Sequence, residues 1–503
     1  MAWWLIVLIV LGIGIVGTAI FDLLQTKRAI LRNFPVVGHL RYVLESLGPE
    51  LRQYIVTDND EERPFSRDQR RWVYTTAKKE NSYFGFGTDN NIAQDGHLII
   101  KHSAFPTTTP VADDAPIPCA KVMGEWRDRP KKFRPPSIVN VSAMSFGSLS
   151  GPAVEALNKG CQIAGAMHNT GEGGISDHHR HGGDLMFQFG TGYFGCRNLD
   201  GTFNLERLVE SVESANVTCI EIKLSQGAKP GLGGVLPGTK VTAEISAARG
   251  VPIGETVYSP NAHSAFGDVD GLIDFVESIA GATGLPVGIK SAVGQLGFWH
   301  ELADRMVARQ EGPDFITIDG GEGGTGAGPL VFTDHVALPF RVGFSRVFQI
   351  FEAADLHQQI VFIGSGRLGF GGEALLAIAL GVDLIGVARE PMLAIGCIQA
   401  QECHTGHCPT GVATQGRWLT RGLDPTDKSV RLANYLIGLR SELQKLSYAC
   451  GYAHPALVPP DTLELIDESY GSVPLLERYG LGSPPPGDDA RSRLSNDQVQ
   501  QLL

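Results

Sequence analysis

The chain opens on an unbroken apolar run. Residues 2–21 carry no charge, and Asp22 is the first ionisable side chain. About 20 residues rising ~1.5 Å each make a helix of roughly 30 Å, the thickness of a bilayer's hydrocarbon core. Trp3 and Trp4 are placed for one membrane interface. Lys27, Arg28, Arg32 and Arg41 follow the run and no basic residue precedes it. This asymmetry predicts a single-pass anchor in the cell (inner) membrane, with the bulk of the chain in the cytoplasm. A cleaved signal peptide is the rival, but it carries positive charge ahead of its apolar run and a small-residue cleavage site behind it.

The pattern over residues 22–135 is irregular, with short helices. A helix is predicted over 66–79, where Ser66 and Gln69 have capping-box spacing. The aromatics of YFGFG at 83–87 read as a packed turn, and 106–118 is rich in turn residues. The basic run 127–134 reads as a solvated face. From residue 136 the pattern becomes regular: short apolar runs recur, each leading into a polar or Gly-rich loop and then a helical stretch. The runs 138–143, 166–170, 219–224, 256–259, 287–290, 315–319, 361–364 and 384–388 are predicted strands. Helices are predicted between them, among others over 152–164, 205–215, 269–282, 296–309 and 372–380. Eight such alternations predict a (β/α)8 TIM barrel, which typically needs about 250 residues. A doubly wound sheet is the alternative. The barrel is preferred because polar motifs follow nearly every strand, and only a barrel brings all those ends to one mouth.

The predicted organisation is therefore a transmembrane anchor (1–24), an N-terminal wrapping region (25–135) and the barrel (136–395). A cysteine-bearing segment with C-terminal helices (396–470) and a tail (471–503) follow. In the C-terminal extension, 429–446 is an amphipathic helix, 449–460 a packed turn region, and 462–479 holds further short helices. Residues 482–493, with three consecutive prolines, read as flexible, and 497–503 as a docking helix or disorder.

Composition narrows the chemistry. An apolar content of 43% with 19% charged residues describes a globular chain with a substantial core. A net charge of −12 argues against an extended nucleic-acid footprint. Eight cysteines in 503 residues do not make a disulfide framework. Three of them gather as Cys397, Cys403 and Cys408 in LAIGCIQAQECHTGHCPTGVATQ. A disulfide would strand the third. A zinc site would need His404 or His407 as a fourth ligand. Three unpaired core cysteines are the bland reading. An iron–sulfur cluster with three protein ligands needs no fourth group.

The strand-end motifs are SAMSFGSLS (142–150), NTGEGG (169–174), EIKLSQGAKPG (221–231), a strand ending at Lys290, DGGEGGTG (319–326) and GSGRLG (364–369). Gly-rich loops late in a barrel, with a helix start nearby, form the usual phosphate site, where bare amides and a helix dipole hold a dianion. FMN suits such a site. Lys290 would then stabilise negative charge near N1 of a reduced flavin; its alternatives are a surface lysine or a Schiff-base lysine. Lys223, Lys229 and Arg249 form a second cationic set able to clamp a dicarboxylate. The alternative for Arg249 is a helix end favourable to the dipole. Glu172 can orient an amine, donate a proton or pair with a lysine.

SAMSFGSLS, NTGEGG, EIKLSQGAKPG, LPG-x-KV (236–241), DGGEGGTGA-x-P (319–329) and the cysteine segment resemble the FMN-binding barrel of the glutamate synthase family over residues 136–415. The resemblance implies an FMN and a 3Fe-4S cluster bound by the three cysteines, with electrons passing from cluster to flavin. It implies reduction of 2-iminoglutarate, formed from 2-oxoglutarate and ammonia, to L-glutamate. Carried onto this chain, flavin contacts fall on Met144, Ser145, Thr170, Gln188, Lys290, Gly321, Gly324 and Gly366. Contacts to 2-oxoglutarate fall on Glu172, Lys229 and Arg249, with Lys223 and Gln226 near both. Two positions depart from the family pattern. A glutamine before LPG is here Val235, and a flavin-side arginine corresponds to Tyr193. No amidotransferase with a leading nucleophilic cysteine precedes the barrel, and no pyridine-nucleotide domain is evident. The expected partners are thus an electron donor, either ferredoxin or a pyridine-nucleotide-dependent reductase, and a separate ammonia-supplying subunit. Two alternatives keep the fold: a flavin oxidoreductase for another amino acid, N-alkyl amino acid or 2-oxo acid, and a membrane electron-transfer subunit without a substrate.

Overall fold

The computed structural model describes residues 3–107, 115–469 and 471–481, together with residues 494 and 498. The tail expectations for 482–493 and 497–503, and part of the turn-rich stretch 106–118, lie outside the described residues. The chain divides into two compact units, Met1–Arg70 and Arg71–Leu503.

In the first unit the opening run is the 22-residue helix Trp3–Leu24, long and apolar enough to cross a membrane. Its side chains are exposed except Ala19, which is half-buried, and Asp22, which is fully buried. The helices Ala29–Asn33 and His39–Leu51 follow, the latter running into a π-helical turn, Arg52–Val56.

The second unit is built on a closed barrel of eight parallel strands: Val139–Val141, Met167–Asn169, Asp184–Phe189, Val217–Lys223, Val287–Ser291, Phe315–Asp319, Val361–Ser365 and Leu384–Val387. Each pairs with its neighbours in chain order, and the eighth closes on the first through Gly386 opposite Asn140. The flanking helices have local causes. Gly151–Ala164 starts where Ser150 accepts the Ala153 amide at 3.3 Å, and stops where Gly165 takes a left-handed φ of 62°. Val269–Thr283 repeats the device with Asp268 and Gly284. The capping box at Ser66 and Gln69 is formed in both directions, opening the helix Arg67–Ala77.

Seven of the predicted strands stand in the barrel, and one assignment is corrected. The third barrel strand is Asp184–Phe189. Val257–Tyr258 instead pairs antiparallel with Val235–Leu236 in a small hairpin within the long connection after the fourth strand. The alternation rule fails here because the second and third strands are joined by a loop holding only one 3-10 turn, Asp177–His179.

The barrel interior is layered. Met167, Met186, Cys219, Phe315, Val361, Ile363 and Leu384 form an apolar floor, joined by Cys119, Met123 and Phe133. These last three belong to a turn closed by the Met123–Phe133 bridge, so the segment preceding the first strand seals the barrel's lower end. Above the floor the inward side chains are polar.

Three further expectations are corrected. Arg127 and Arg129 are not solvated. Arg129 makes paired hydrogen bonds to Asp314 at 3.1 and 3.2 Å and to Glu277 at 2.6 and 2.8 Å, while Arg127 lies 3.7 Å from Asp314. Tyr83 and Phe86 are exposed rather than packed. In the stretch 462–479, Leu463–Ile466 and Ser472–Pro474 are strands, and they form a three-stranded sheet with Leu98–Ile100; only Leu475–Tyr479 is helical. The long helix spans Pro425–Ala449, enclosing the predicted one.

Candidate active site at the barrel mouth

Glu221 stands at the centre of the polar layer, 1% exposed. Its carboxylate accepts from Asn169 Nδ2 at 2.8 Å, Gln188 Nε2 at 2.5 Å and Thr317 Oγ1 at 2.5 Å, so three other strands converge on it. Nearer the mouth, Lys290 is buried 3.4 Å from Asp319. Burial alone would lower the Lys290 pKa, but Asp319 and then Glu221 reverse this, and it lies above the usual lysine value. Asp319 also accepts the Gly227 amide at 3.0 Å, which ties the loop after the fourth strand to that after the sixth. A Cβ on Gly227 would stand 1.8 Å from the Gly320 carbonyl oxygen, so only glycine permits this approach. The sequence reading missed Glu221, Asn169, Thr317 and Asp319. The available signal was the alternation Glu221-Ile222-Lys223, which puts both ionisable side chains on one face of a strand.

Beside this column lies the cationic set. Lys223 Nζ bridges Glu172 Oε1 at 2.7 Å and Gln226 Oε1 at 2.6 Å. Arg249, at the end of the helix Ala243–Arg249, donates to the Phe146 carbonyl at 3.0 Å and lies over the Phe194 ring. Its Nε is buried without a hydrogen-bond partner among the described residues, leaving a donor for a ligand. Burial lowers the Arg249 pKa to about 10, with Glu172 opposing. Lys229 is also buried and shifted down, by burial and then by Lys223. Burial pushes the Glu172 carboxyl up, yet Lys223, Arg249 and Lys229 together hold it below its ordinary value. The site is thus an ionised carboxylate facing three cations, a pocket with surplus positive charge. Glycine makes room for it, since a Cβ on Gly190 would come within 2.4 Å of Glu172 Oε2.

The two departures from the family pattern have different placements. Val235 is half exposed and faces Tyr258 across the small hairpin. Tyr193 is buried; its hydroxyl accepts the amides of Ser264 and Ala265 at 3.0 and 3.1 Å and meets His263 Nδ1 at 3.1 Å. It pins the loop over residues 263–265 rather than facing the mouth.

The loops assigned to flavin by resemblance all follow barrel strands at the same end. Those after the first and second strands are pressed together: a Cβ on Gly171 would lie 2.5 Å from the Ser145 amide nitrogen. Thr170 Oγ1 accepts the Gln188 amide at 3.1 Å, and Ser145 Oγ meets Ser148 Oγ at 3.0 Å. Met144 adjoins them, and Gly321, Gly324 and Gly366 lie in the loops after the sixth and seventh strands. Of the helix starts near these loops, that of Phe340–Ala353 is capped by Glu322, which takes the Phe340 amide at 2.8 Å, and Glu442 stands beside that of Gly371–Ala379, where a Cβ on Gly371 would lie 2.9 Å from Glu442 Oε2. The start of Arg389–Ala394, directly after the eighth strand, has no side-chain cap. Arg367 and Arg389 follow the seventh and eighth strands. The Arg389 stem packs on Gly324, where a Cβ would lie 2.8 Å from Cδ, and its guanidinium donates to the Glu322 carbonyl. Neither arginine was singled out from sequence.

The cysteine segment borders the same mouth. Gln415 Nε2 donates to the carbonyls of Gly147 at 3.2 Å and Leu149 at 2.9 Å, and the Ser150 amide donates to Val412. A Cβ on Gly326 would lie 3.6 Å from Cys403 Cβ. Cys403 and Cys408 are neighbours. Cys403 is shifted up by burial and by Cys408. Burial also acts on Cys408, but the amides of Ala413, Thr410 and Val412 and the Thr410 hydroxyl outweigh it and lower its pKa. Cys397 Sγ accepts the Gln399 amide at 3.4 Å, and its carbonyl accepts from Tyr74 Oη at 2.9 Å. Among the described residues the three sulfurs do not form a group closed to within 4.8 Å, as a single metal ion would require. His404 and His407 are exposed. Sulfurs supported by backbone N–H donors suit an iron–sulfur cluster, and the donor set fits one.

Residues 127–453 match the family described as "Conserved region in glutamate synthase". The chain is 36% identical to a glutamate synthase large subunit-like protein of Bacillus subtilis (strain 168), with 90% of this chain and 94% of that protein covered. It is 35% identical to an archaeal glutamate synthase (NADPH) of Methanocaldococcus jannaschii, where 62% of this chain spans 59% of the relative. Among solved structures, a flavocytochrome b2 variant aligns with a TM-score of 0.45 at 13% identity, covering 83% and 82% of the two chains. With the barrel and its mouth described, the family match and the full-length Bacillus relative establish that this chain belongs to the glutamate synthase family of oxidoreductases.

Proposed function

We propose that the chain is an FMN- and 3Fe-4S-dependent glutamate synthase-type oxidoreductase that reduces 2-iminoglutarate to L-glutamate. The observation that carries this reading is the placement of the Lys223–Glu172–Arg249–Lys229 pocket, the buried Lys290 and the cysteine segment around one barrel mouth. When bound, the cluster would supply one-electron transfer and the flavin hydride transfer. Cys397, Cys403 and Cys408 would hold the cluster. Arg367 and Arg389 would take the flavin phosphate, with Met144, Ser145, Thr170, Gln188 and the glycines at 321, 324 and 366 shaping the cradle. Lys290 would hold positive charge against the flavin ring. Arg249 and Lys229 would clamp the substrate carboxylates, and desolvation strengthens both contacts. Reduction of the imine needs two electrons and two protons. With hydride delivered to carbon, Lys223 Nζ, bonded to Glu172 Oε1, would pass the other proton to the substrate nitrogen to give the amine, and Glu172 would accept a hydrogen bond from that amine.

Electrons would come from a partner, ferredoxin or a pyridine-nucleotide-dependent reductase, and ammonia from solution or a separate subunit. The anchor would hold the enzyme as a single-pass protein of the cell membrane with its barrel in the cytoplasm. The test is anaerobic purification with iron and flavin quantitation, followed by assay with ammonia, 2-oxoglutarate and reduced ferredoxin. Absence of glutamate from a fully loaded preparation would reject the reading. A second reading, a different amino or 2-oxo acid, is favoured by Val235 at the hairpin. A panel of such acids scored by flavin spectral shift separates the two.

A further inference from the structure

The helix His39–Leu51 carries an apolar stripe that is left exposed among the described residues. Leu40, Val43, Leu44, Leu47 and Leu51 recur at helical spacing and fall within about 100° of arc. They are 60, 50, 55, 51 and 41% exposed. On the side opposite the stripe Tyr42 lies under the Arg28 guanidinium at 4.6 Å, and at the stripe's flank His39 turns back onto Asp22. In a helix stabilised by a protein core the apolar face is the packed one. Here the arrangement is reversed.

The join between this helix and Trp3–Leu24 is a built elbow. Asp22 Oδ2 accepts the Val36 amide at 2.9 Å, and both of its oxygens lie 3.0 Å from His39 Nε2. Gln25 bridges the turn, donating to the carbonyls of Asp22 and Arg28 and accepting the Arg28 amide at 2.8 Å. Leu31 is buried inside the elbow, and a Cβ on Gly38 would stand 2.7 Å from the Phe34 carbonyl oxygen. A flexible tether needs none of these contacts. They set the second helix at a fixed direction to the first.

From this geometry we infer that His39–Leu51 lies along the surface of a lipid bilayer with its Leu/Val stripe in the headgroup–acyl boundary, held there by the elbow at the end of the membrane span. Two observations select lipid as the occupant. The stripe continues an apolar surface already exposed along Trp3–Leu24. Lys27, Arg28, Arg32 and Arg41 cluster at the junction, which complements anionic headgroups. The inference rests on the membrane-anchor reading and extends it from a single crossing to an anchor with a surface-lying arm.

The test uses the full-length protein in vesicles of phosphatidylcholine and phosphatidylglycerol. A photo-reactive benzoylphenylalanine is introduced singly at Leu44, at Leu47, at Glu45 on the polar face, and at Ile13 within the span. Adducts are identified by mass spectrometry. Lipid adducts at Leu44 and Leu47 several-fold above those at Glu45 are expected. Adducts with the same chain's barrel or with a second copy at Leu44 and Leu47 would overturn the inference, as would absence of lipid adducts there. Lipid adducts at Ile13 in those cases leave the anchor standing; their absence at Ile13 rejects the anchor as well.

Discussion

Gln188 donates its side-chain amide to Glu221 at 2.5 Å, deep in the barrel. With the side-chain N–H group spent on Glu221, the Gln188 carbonyl oxygen is the acceptor left over. Such an acceptor suits the imide N–H of a flavin ring. Glu221→Ala would leave three buried donors, on Asn169, Gln188 and Thr317, without their acceptor. Each unpaired donor costs about 1–3 kcal/mol. We expect a lower melting temperature and, in any FMN-loaded protein, an altered flavin absorption spectrum because Gln188 is free to rotate. An unchanged melting temperature would contradict the central role given to this carboxylate.

The Arg129 cluster is a second stability prediction. Arg129→Met removes the cation that faces both Asp314 and Glu277 and strands buried negative charge. Breaking such a pair typically costs roughly 3–5 kcal/mol. Chemical denaturation of the barrel unit's signal should show a loss on that scale, whereas Lys132→Met, at an exposed ion pair with Asp128, should change stability by less than about 1 kcal/mol.

His168 provides the pH prediction. It is fully buried in the second barrel strand, neither ring nitrogen has a partner among the described residues, and its ring lies 5.4 Å from that of His179. Burial lowers its pKa to about 3, so the folded state refuses a proton that the unfolded chain accepts near the ordinary histidine value. Its contribution is fully present above about pH 6.5 and is lost as pH falls toward 3, at about 1.4 kcal/mol per unit. His168→Leu should therefore make stability less steeply dependent on pH between about 6 and 4.5, measured by denaturation at stepped pH.

Arg389 gives the ligand prediction. If it takes the flavin phosphate, Arg389→Ala removes a charge-assisted contact of about 1.5–3 kcal/mol. FMN affinity of the apoprotein, read by quenching of flavin fluorescence, should then fall by about tenfold or more, and Arg389→Lys should restore it only in part. Equal affinity in all three proteins would place the phosphate elsewhere.

These residues also mark where the sequence was legible. Seven barrel strands, the helix cap at Ser66 and the cysteine spacing are local patterns, readable within a few residues. The third strand was missed because no helix separates it from the second, so the expected alternation passed over Asp184–Phe189. Arg129 looked solvated because its partners, Glu277 and Asp314, lie far along the chain. Glu322 meets the start of Phe340–Ala353 only once the barrel has closed, so that cap could not be read locally. Local chemistry announces which side chains can act; their partners are assigned by the tertiary fold.

Gln415 holds the rim beside Gly147 and Leu149, although all eight strands are complete by Val387. A chain truncated near residue 400 would keep every barrel strand yet lose the side chain that fastens its first loop, so the rim depends on residues that the barrel's own strands do not supply.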